Sequence, residues 1–360
     1  MAWNTVELVS PIEKDLIQLA AIPAPTGNEG ARIAWLEQRL AGAPGSRARD
    51  DVGNLVWRLG NGRPALAVLA HVDTVFGEDV AHEPVEREGW LHGPGIGDNA
   101  AAVVVALTVV EALAAEFARP LVVVFTVGEE GLGDLLGARH ACAELDPEAV
   151  IALEGHGLEL VRVDAVGSVR VRLTVTGRGG HSWWDRSRPS AVHGLVALLA
   201  EILAEPDPGA AVNVGTIRGG EAVNAIAARA ETVVEARSLD ENVLDAFSGR
   251  LDRLEVPEPL ALARESLGRR PAGRLDRRHP LLDAVRAVRA ELGLPDVLGD
   301  GSTDANAALA RGIPALSLGC AHGHDMHALT ERIELASLEQ GRAQLDGVLR
   351  RLLAPGTSSL

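Results

Sequence analysis

The first half of the chain alternates short apolar runs with segments whose apolar positions repeat at helical spacing. Strand-like runs lie at Leu55–Leu59, Ala65–Ala70, Leu121–Val127 and Ala149–Leu153, and Pro314–Leu318 continues the pattern near the end. Runs this short, apolar throughout and separated by helical segments, are typical of strands that are buried on both faces. The pattern predicts an α/β fold with a mostly parallel, doubly wound sheet.

Helical periodicity between these runs predicts helices at Pro11–Ala21, Asn28–Leu40, Ala100–Phe117, Gly133–Leu145 and Ile333–Leu353. The glycine-rich stretch Leu91–Gly97 is predicted to be an irregular loop. Asp98 follows this loop just before the long apolar helix, a position at which an aspartate can cap a helix.

The pattern changes near Gly167, where Val169–Thr176 alternates apolar and polar residues as a half-exposed strand does. Helices and further alternating strands follow in the order β-α-β-β-α-β, which is the ferredoxin-like arrangement. We therefore expect two domains. Residues 1–166 and 271–360 form the first, and residues 167–270 form an α+β domain inserted into it.

Composition narrows the range of partners. The 360 residues carry a formal net charge of −16, which disfavours nucleic acid or an anionic membrane surface as a main partner. The longest apolar stretch, Ala100–Val110, is too short to span a bilayer. The N-terminal residues have no signal-peptide pattern, and the two cysteines, Cys142 and Cys320, form no zinc or disulfide motif. A cytoplasmic protein is expected.

Residues able to bind metal follow the predicted strands or begin the long helix. They are His71, Asp98, Glu130 and Glu154, together with one of His322, His324 and His327, among which the spacing does not choose. Parallel sheets place their chemistry at the carboxyl ends of the strands, so these side chains are expected to meet. Imidazole with carboxylate suits zinc, and carboxylates also admit cobalt or manganese.

Five ligands can hold two metals if one carboxylate bridges them, and Asp98 is the natural bridge. One metal would lie between His71 and Glu154, and the other between Glu130 and the C-terminal histidine. A single-metal hydrolase is the alternative. Glu129, beside Glu130 and between two glycines, is the expected general base for a metal-bound water. Asp73 is expected to orient His71 by accepting its second ring N–H.

The motifs around these residues resemble a known family over nearly the whole chain. It is the dinuclear zinc metallopeptidase family of carboxypeptidase G, acetylornithine deacetylase, succinyl-diaminopimelate desuccinylase, tripeptidase T and the carrier-linked lysine and ornithine hydrolases. The motifs are His71-Val72-Asp73-Thr74-Val75, Gly93-Pro94-Gly95-Ile96-Gly97-Asp98-Asn99, Thr126-Val127-Gly128-Glu129-Glu130-Gly131, Gly177-Arg178-Gly179-Gly180-His181-Ser182, Gly301-Ser302-Thr303-Asp304-Ala305 and His327-Ala328-Leu329-Thr330-Glu331.

The resemblance implies two zinc ions, a catalytic domain and an inserted lid domain that forms a homodimer. It selects His327 as the last ligand, because Glu331 follows it by four residues as in the family. It also implies that His181 stabilises the developing oxyanion, from the partner subunit in dimeric members. Asn224 and Arg237 match lid positions that hold the substrate carboxylate. Ser302 and Thr303 are expected to add hydrogen bonds to that group.

Two departures from the family pattern affect the expected substrate. Asn99-Ala100 stands where many relatives carry a lysine, and Glu154 stands where free-amine peptidases often have aspartate. The glutamate favours a deacylase or carboxypeptidase-like member. Trp183-Trp184, directly after the lid motif, is interpreted as a pocket wall, a dimer contact or core packing.

The predicted function is metal-dependent hydrolysis of the amide bond in an N-acyl amino acid or a small peptide with a free carboxylate. A tripeptidase- or dipeptidase-type aminopeptidase is the second hypothesis. A metal-dependent binding protein that has lost catalysis is the third. Neither a nucleic acid nor a membrane is an expected partner.

Overall fold

The computed structural model describes residues 10–204 and 208–356. The chain divides into two compact units, which we call unit 1 (Met1–Ala165 with Arg274–Leu360) and unit 2 (Val166–Gly273). Their boundaries fall close to those expected at residues 166 and 271. The assignment of unit 1 as catalytic domain and of unit 2 as lid stays a prediction.

The helices of the described residues are α1 Pro11–Ala20, α2 Gly30–Arg39, α3 Ala102–Leu113, α4 Leu136–Leu145, α5 Ala191–Ala204, α6 Glu241–Arg253, α7 Pro280–Glu291, α8 Ala305–Leu309 and α9 Leu335–Leu353. Most begin within three residues of their predicted start. Helix α1 illustrates why: Ser10 and Glu13 form a reciprocal capping box, and Pro11 occupies the first helical position.

The strands of the described residues are β1 Ser46–Arg49, β2 Leu55–Leu59, β3 Leu66–His71, β4 Val85–Arg87, β5 Trp90–His92, β6 Leu121–Thr126, β7 Val150–His156, β8 Val161–Ala165, β9 Gly167–Thr176, β10 Gly180–His181, β11 Ala211–Gly219, β12 Ala225–Ile226, β13 Arg229–Ser238, β14 Ala261–Arg270, β15 Gly273–Arg274, β16 Leu298–Gly301, β17 Ala315–Ala321, β18 Gly323–His324 and β19 Arg332–Glu334.

Unit 1 is built on a mixed sheet in the order β1-β2-β6-β3-β7-β17-β8-β15, with β16 paired to β8. Its centre, β6-β3-β7-β17, is parallel throughout. Side chains of β3 alternate between two cores: Leu66, Val68 and Ala70 pack into one, and Ala67 and Leu69 into the other. Helices therefore cover both faces, and the predicted α/β, mostly parallel fold class is confirmed.

Two local predictions were wrong, and so was capping as the alternative role of Asp98. Strand β7 runs on through His156, so Glu154 lies inside a strand and not after one. Leu91 and His92, the first two residues of the predicted irregular loop, belong to β5, which pairs with β4 and β19. Asp98 makes no side-chain cap, because an irregular wide turn, Ile96–Ala101, precedes α3 and holds Asp98 in a non-helical conformation. The peptide bond between Asp98 and Asn99 is cis.

Helix α3 and the turn before it form the most apolar segment of unit 1. By length and mean hydropathy alone, Ile96–Leu113 passes the test for a membrane span, so the apolar segment is longer than the sequence analysis allowed. However, 83% of this stretch is buried inside the molecule, and the central helix of a packed core passes the same test. Its apolar character is therefore explained by its place under the sheet.

Unit 2 consists of a four-stranded sheet, β11-β13-β9-β14, and the two helices α5 and α6. All three ladders of this sheet are antiparallel. The strand order is that of the ferredoxin-like β-α-β-β-α-β unit predicted from the sequence. Apolar side chains of both helices and of β9 and β13 form its separate core. A short ladder of β10 with β12 extends from one end and carries His181 opposite Ala225.

Candidate metal centre

The four parallel strands of unit 1 bring their ligand-bearing ends to one edge of the sheet. His71 is the last residue of β3 and lies beside Thr126 at the end of β6. Glu154 on β7 lies beside Gly319 of β17. Glu129 and Glu130 follow β6 by a short turn, and the loop with His327 follows β17. The side chains meet because parallel strands end in register at the same edge.

Asp98 lies between the two histidines and turns a different oxygen towards each. Its Oδ1 is 3.1 Å from His71 Nε2, and its Oδ2 is 2.9 Å from His327 Nε2. His71 Nε2 is also 4.0 Å from Glu154 Oε2, and His327 Nε2 is 3.0 Å from Glu130 Oε1. The five predicted ligands thus form two groups that share only Asp98.

These spacings fit metal binding. Two ligands at tetrahedral positions about 2.05 Å from one zinc ion lie about 3.3 Å apart, and the four distances, 2.9 to 4.0 Å, bracket that value. Two imidazole nitrogens and three carboxylates form a donor set suited to zinc, cobalt or manganese. The residues of the cluster therefore fit two ions, with His71, Glu154 and Asp98 around one and Glu130, His327 and Asp98 around the other.

The carboxylates of the cluster need positive charge beside them to stay ionised. Burial raises the pKa of Glu154 to about 7, so an ionised carboxylate at this position needs a cation beside it. Burial lowers the pKa of His71, but contacts with Asp73, Asp98 and Glu129 outweigh burial and raise it overall. Hydrogen bonds to Asp98 and Glu130 raise the pKa of His327 to about 10. Protons on the imidazoles here balance carboxylates that metal ions would otherwise neutralise.

Asp73 links His71 to the turn that follows strand β6. The ring Nδ1 of His71 lies 3.2 Å from the main-chain oxygen of Asp73 and 3.4 Å from its Oδ1, which directs Nε2 towards the cluster. The Asp73 carboxylate also accepts the N–H groups of Glu129 and Glu130 at 3.0 and 2.8 Å. One buried carboxylate therefore positions a ligand histidine and the pair of glutamates together.

Glu129 forms a third group of possible ligands with His71 and Glu130. Its side chain is buried, and one of its oxygens is within 4.8 Å of ligand atoms of both His71 and Glu130. Glu130, in contrast, shares a group with Asp98 and His327. This arrangement agrees with separate roles for the two neighbours, because a general base must lie near the reacting water without taking the place of a ligand.

Two supporting contacts were missing from the sequence analysis. The hydroxyl of Thr26 donates to Asp73 Oδ2 at 2.9 Å. The fully buried carboxylate of Glu331 accepts the N–H groups of Gly95, Gly97 and Asp98 at 2.7 to 3.1 Å, and it also contacts His156 Nε2 at 2.7 Å. Glu331 therefore holds the turn that presents Asp98. Its spacing from His327 was the available signal, but spacing alone did not reveal what the carboxylate holds.

In unit 2, the residues predicted to contact substrate lie at two ends of one sheet. His181 on β10 pairs with Ala225, directly after Asn224, beyond the end of β13 that begins with Arg229. Arg237 lies near the opposite end of β13, beside Ala211 and Ser168. At about 3.4 Å per residue, the eight steps from Arg229 to Arg237 span roughly 27 Å. Within one unit 2, Arg237 therefore cannot share a small ligand with Asn224 and His181.

The predicted substrate residues on the unit 1 loop differ from one another. Thr303 is buried, and its hydroxyl lies 2.6 Å from the hydroxyl of Ser317, so it serves the packing of unit 1. Ser302 is half-buried.

The remaining side chains are in unit 2. The guanidinium of Arg237 forms an exposed pair with Glu235 at 2.9 Å. Trp183 and Trp184 are exposed, which rules out core packing as their role.

Comparison with known proteins agrees with this geometry. Residues 67–351 match the sequence pattern of peptidase family M20/M25/M40, which covers well over half of the chain and all five candidate ligands. The chain belongs to this family. Enzymes of the family are metal-dependent hydrolases, so the protein is a metallohydrolase that cleaves amide bonds, as predicted. The family match confirms the predicted resemblance.

Relatives within the family extend along nearly the whole chain. A succinyl-diaminopimelate desuccinylase from Bordetella petrii is 29% identical over 94% of this chain and 97% of its own length. The corresponding protein from Methylorubrum populi is 27% identical over 92% and 96%. Both comparisons therefore cover nearly the full length of each chain compared.

Solved structures of the family share the fold. A tripeptidase from Staphylococcus aureus superposes with a TM-score of 0.77 at 20% identity, over 95% of this chain and 98% of the other. An M20 family metallo-carboxypeptidase from Sulfolobus solfataricus gives 0.77 at 14% identity, over 96% and 99%. At these identities, the likeness defines the architecture of the chain and leaves its substrate open.

Proposed function

We propose that this protein is a dinuclear zinc hydrolase that acts on an N-acyl amino acid or a small peptide with a free carboxylate. The observation that carries the proposal is the position of Asp98, whose two oxygens face two different histidines at 3.1 and 2.9 Å. A carboxylate in this position bridges two metal sites. Cobalt or manganese would suit the same donors, and zinc fits the two imidazoles best.

Bound metal ions supply the Lewis acid and the activated water of this reaction. Glu129 takes a proton from the attacking water as the water oxygen bonds to the amide carbon. The bond from carbon to nitrogen then breaks, and Glu129 returns the proton to the leaving amine. His181 donates a hydrogen bond to the oxygen that gains negative charge. Asp73 keeps both Glu129 and His71 in place through its hydrogen bonds.

A homodimer through unit 2 would resolve the separation of Arg237 from His181. Strand β11 is an edge of its sheet, and its Ala211 end lies beside Arg237 while its Gly219 end lies towards His181. If two copies pair β11 antiparallel about a two-fold axis, each His181 end meets the other copy's Arg237 end. One substrate site would then use Arg237 of its own chain and Asn224 and His181 of the partner.

The surface around β11 supports this pairing. Val196 and Leu203 on α5 are each 53% exposed and lie two helical turns apart on one face. Ile217 on β11 is 57% exposed. Helix α5 packs next to β11 in the same unit. Apolar side chains beside an open strand edge are the features that a second copy would cover. A cytoplasmic location also belongs to this proposal, because the two cysteines are buried and unpaired.

A screen of metal-loaded protein against paired substrates tests the function. The panel contains N-acetyl and N-succinyl amino acids, dipeptides, and a free tripeptide with its N-acetylated counterpart. We expect hydrolysis of acylated amino acids, about two zinc ions per chain and a loss of activity with chelator. Hydrolysis of the free tripeptide alone would favour the aminopeptidase hypothesis. Tight binding without product at full zinc occupancy would favour a binding protein.

The functions of the relatives support the deacylase side of this choice. Two of them are desuccinylases, which remove an acyl group from an amine. The tripeptidase and carboxypeptidase share the architecture at lower identity. Glu154 in place of an aspartate points in the same direction as the desuccinylases. One zinc per chain in the fully active enzyme would contradict the dinuclear part of the proposal.

A further inference from the structure

The ring of His181 is held by its own loop so that one nitrogen faces outward. The N–H groups of Trp183 and Trp184 both point at His181 Nδ1, at 3.1 and 3.4 Å. A ring nitrogen that receives two donors is the acceptor of the imidazole, so the hydrogen is on Nε2. Nε2–H is therefore the group that His181 can present to a substrate oxygen.

The loop that carries this histidine is fixed by a second set of contacts. We call residues 181–188 the His181 loop. The carboxylate of Asp185 accepts the His181 N–H at 2.9 Å and pairs with Arg188 at 2.8 Å. Arg188 in turn donates to the carbonyl of Gly179 at 3.1 Å. The exposed side chains of this loop consequently stand on an ordered main chain.

The two tryptophans of the loop have different surroundings. Trp183 is covered on one face by the guanidinium of Arg186, which lies 5.2 Å from its ring centre. Trp184 is 77% exposed, and its ring centre is 6.4 Å from that of His181. An indole this exposed on an ordered loop presents a large apolar face for a ligand to cover. Trp184 is thus the aromatic surface next to the hydrogen-bond donor.

We propose that Trp184 selects substrates with an aromatic or large aliphatic group attached to the scissile amide. The inference rests on the proposed function, in which His181 Nε2 contacts the oxygen of that amide. Groups on either side of an amide extend several ångströms from its oxygen, which is the distance from the His181 ring to Trp184. Trp184 stays beside His181 whether the histidine serves its own chain or a partner, because both side chains are on one loop.

A substrate preference of this kind differs from that of an enzyme specific for a charged acyl group. A succinyl group ends in a carboxylate, which stays hydrated and gains little from an indole face. A phenyl or branched aliphatic group loses its contact with water against the same face. The substrate we infer therefore carries its free carboxylate on one part of the molecule and an apolar group on the part that meets Trp184.

Four probes and three variants test the inference. The probes are N-acetylalanine, N-acetylphenylalanine, N-benzoylalanine and N-succinylalanine, assayed with the zinc-loaded full chain. We expect the wild type to prefer one of the two aromatic probes over N-acetylalanine by more than about tenfold in kcat/KM. W184A should reduce this preference by about tenfold, mainly through a higher KM for the aromatic probe. W184F should retain most of the preference.

W183A is the matched control, since it removes the same side chain one residue away and keeps the main-chain N–H. It should change the preference by less than about threefold. An unchanged preference in W184A would overturn the inference, and so would an equal loss on all four probes or a change of oligomeric mass. A different result would contradict the proposed function itself. In that case the wild-type protein would hydrolyse neither these probes nor any other substrate in the screen.

Discussion

The candidate metal cluster of unit 1 and the His181 loop of unit 2 are built in opposite ways. The candidate ligands Asp98, Glu130 and Glu154 are each less than a tenth exposed. Their contacts with His71 and His327 lie within unit 1. His181, Trp183 and Trp184 are exposed. The hydrogen bonds to the ring and the N–H of His181 come from its own loop, and among the described residues β10 pairs only with the short strand β12. The first group is assembled within one unit, whereas the side chains of the second are exposed.

This difference determines which variants report on the chemistry of one chain alone. A buried cluster built on strand ends keeps its arrangement as long as unit 1 is folded, so its variants report on chemistry and metal binding. An exposed donor such as His181 acts only when something is brought to it. Its variants therefore report on subunit assembly and substrate binding as well as on the chemical step.

The largest effect is expected from the general base. Glu129→Gln keeps the size of the side chain but removes the group that takes the proton, so kcat should fall by roughly 10³-fold. Zinc content should stay at the wild-type value, because Glu130 and not Glu129 lies with Asp98 and His327. Steady-state kinetics and metal analysis measure the two quantities. Glu144→Gln, an exposed residue on α4, is the control and should match the wild type.

Either of two results would contradict the role of Glu129. Turnover within about tenfold of the wild type would show that another group takes the proton. Loss of a zinc ion would show that Glu129 is a ligand, and the assignments of Glu129 and Glu130 would then have to be exchanged.

The next effect tests whether the His181 loop serves a partner's site. His181→Ala and Arg237→Ala homodimers should each be strongly impaired. In a purified heterodimer of the two variants, one site receives a normal Arg237 from its own chain and a normal His181 from the other. That site is intact while the second site lacks both, so about half of the wild-type activity should return. Differently tagged chains, co-expressed and purified in tandem, provide the heterodimer.

A heterodimer as inactive as the two variant homodimers would contradict the supply of His181 by the partner. Both residues would then act at the same site from the same chain. A monomeric wild type that is fully active would do the same. Mixing either variant with itself under the other tag is the matched control and should restore nothing.

Much of the unit 1 site could be predicted because strand ends are visible in a sequence. Apolar runs before His71 and Glu130 mark β3 and β6, and turn residues mark where they stop. Glu154 was misplaced for a specific reason: Gly155 and His156 interrupt the apolar run, yet β7 continues beside β17. Gly155 is there because a Cβ would lie 1.6 Å from the carbonyl oxygen of Gly97. Only the packed structure shows that requirement.

The supporting contacts could not be predicted, since they join distant parts of the chain. Thr26 reaches Asp73 because Pro25 forms a parallel bridge with Thr74. Glu331 lies more than two hundred residues from the N–H groups that it accepts. In unit 2, the alternating strands predicted the sheet, but the separation of Arg237 from His181 depends on the ladder register. The periodicity of apolar residues identifies strands, but it does not define which strand ends lie side by side in the sheet.

A smaller effect is expected where Glu331 supports Asp98. Glu331→Gln retains one acceptor oxygen for the three N–H groups and removes the negative charge beside them. Zinc affinity should fall by about 10- to 100-fold, as is usual when a group that orients a ligand is lost. Competition with a fluorescent chelator measures the affinity without reference to activity. Glu339→Gln, on the exposed face of α9, is the control, and an unchanged affinity in E331Q would refute the role.

The smallest effect concerns Thr26, which contributes one hydrogen bond to the Asp73 carboxylate at 2.9 Å. Thr26→Val keeps the shape and removes the donor, which should lower the free energy of unfolding by about 1 kcal/mol. Because Asp73 also holds His71 and the N–H of Glu129, kcat/KM should fall a few-fold with zinc content unchanged. Thr26→Ser retains the hydroxyl and should recover kcat/KM. If T26S is as impaired as T26V, the methyl group matters and the hydrogen bond does not.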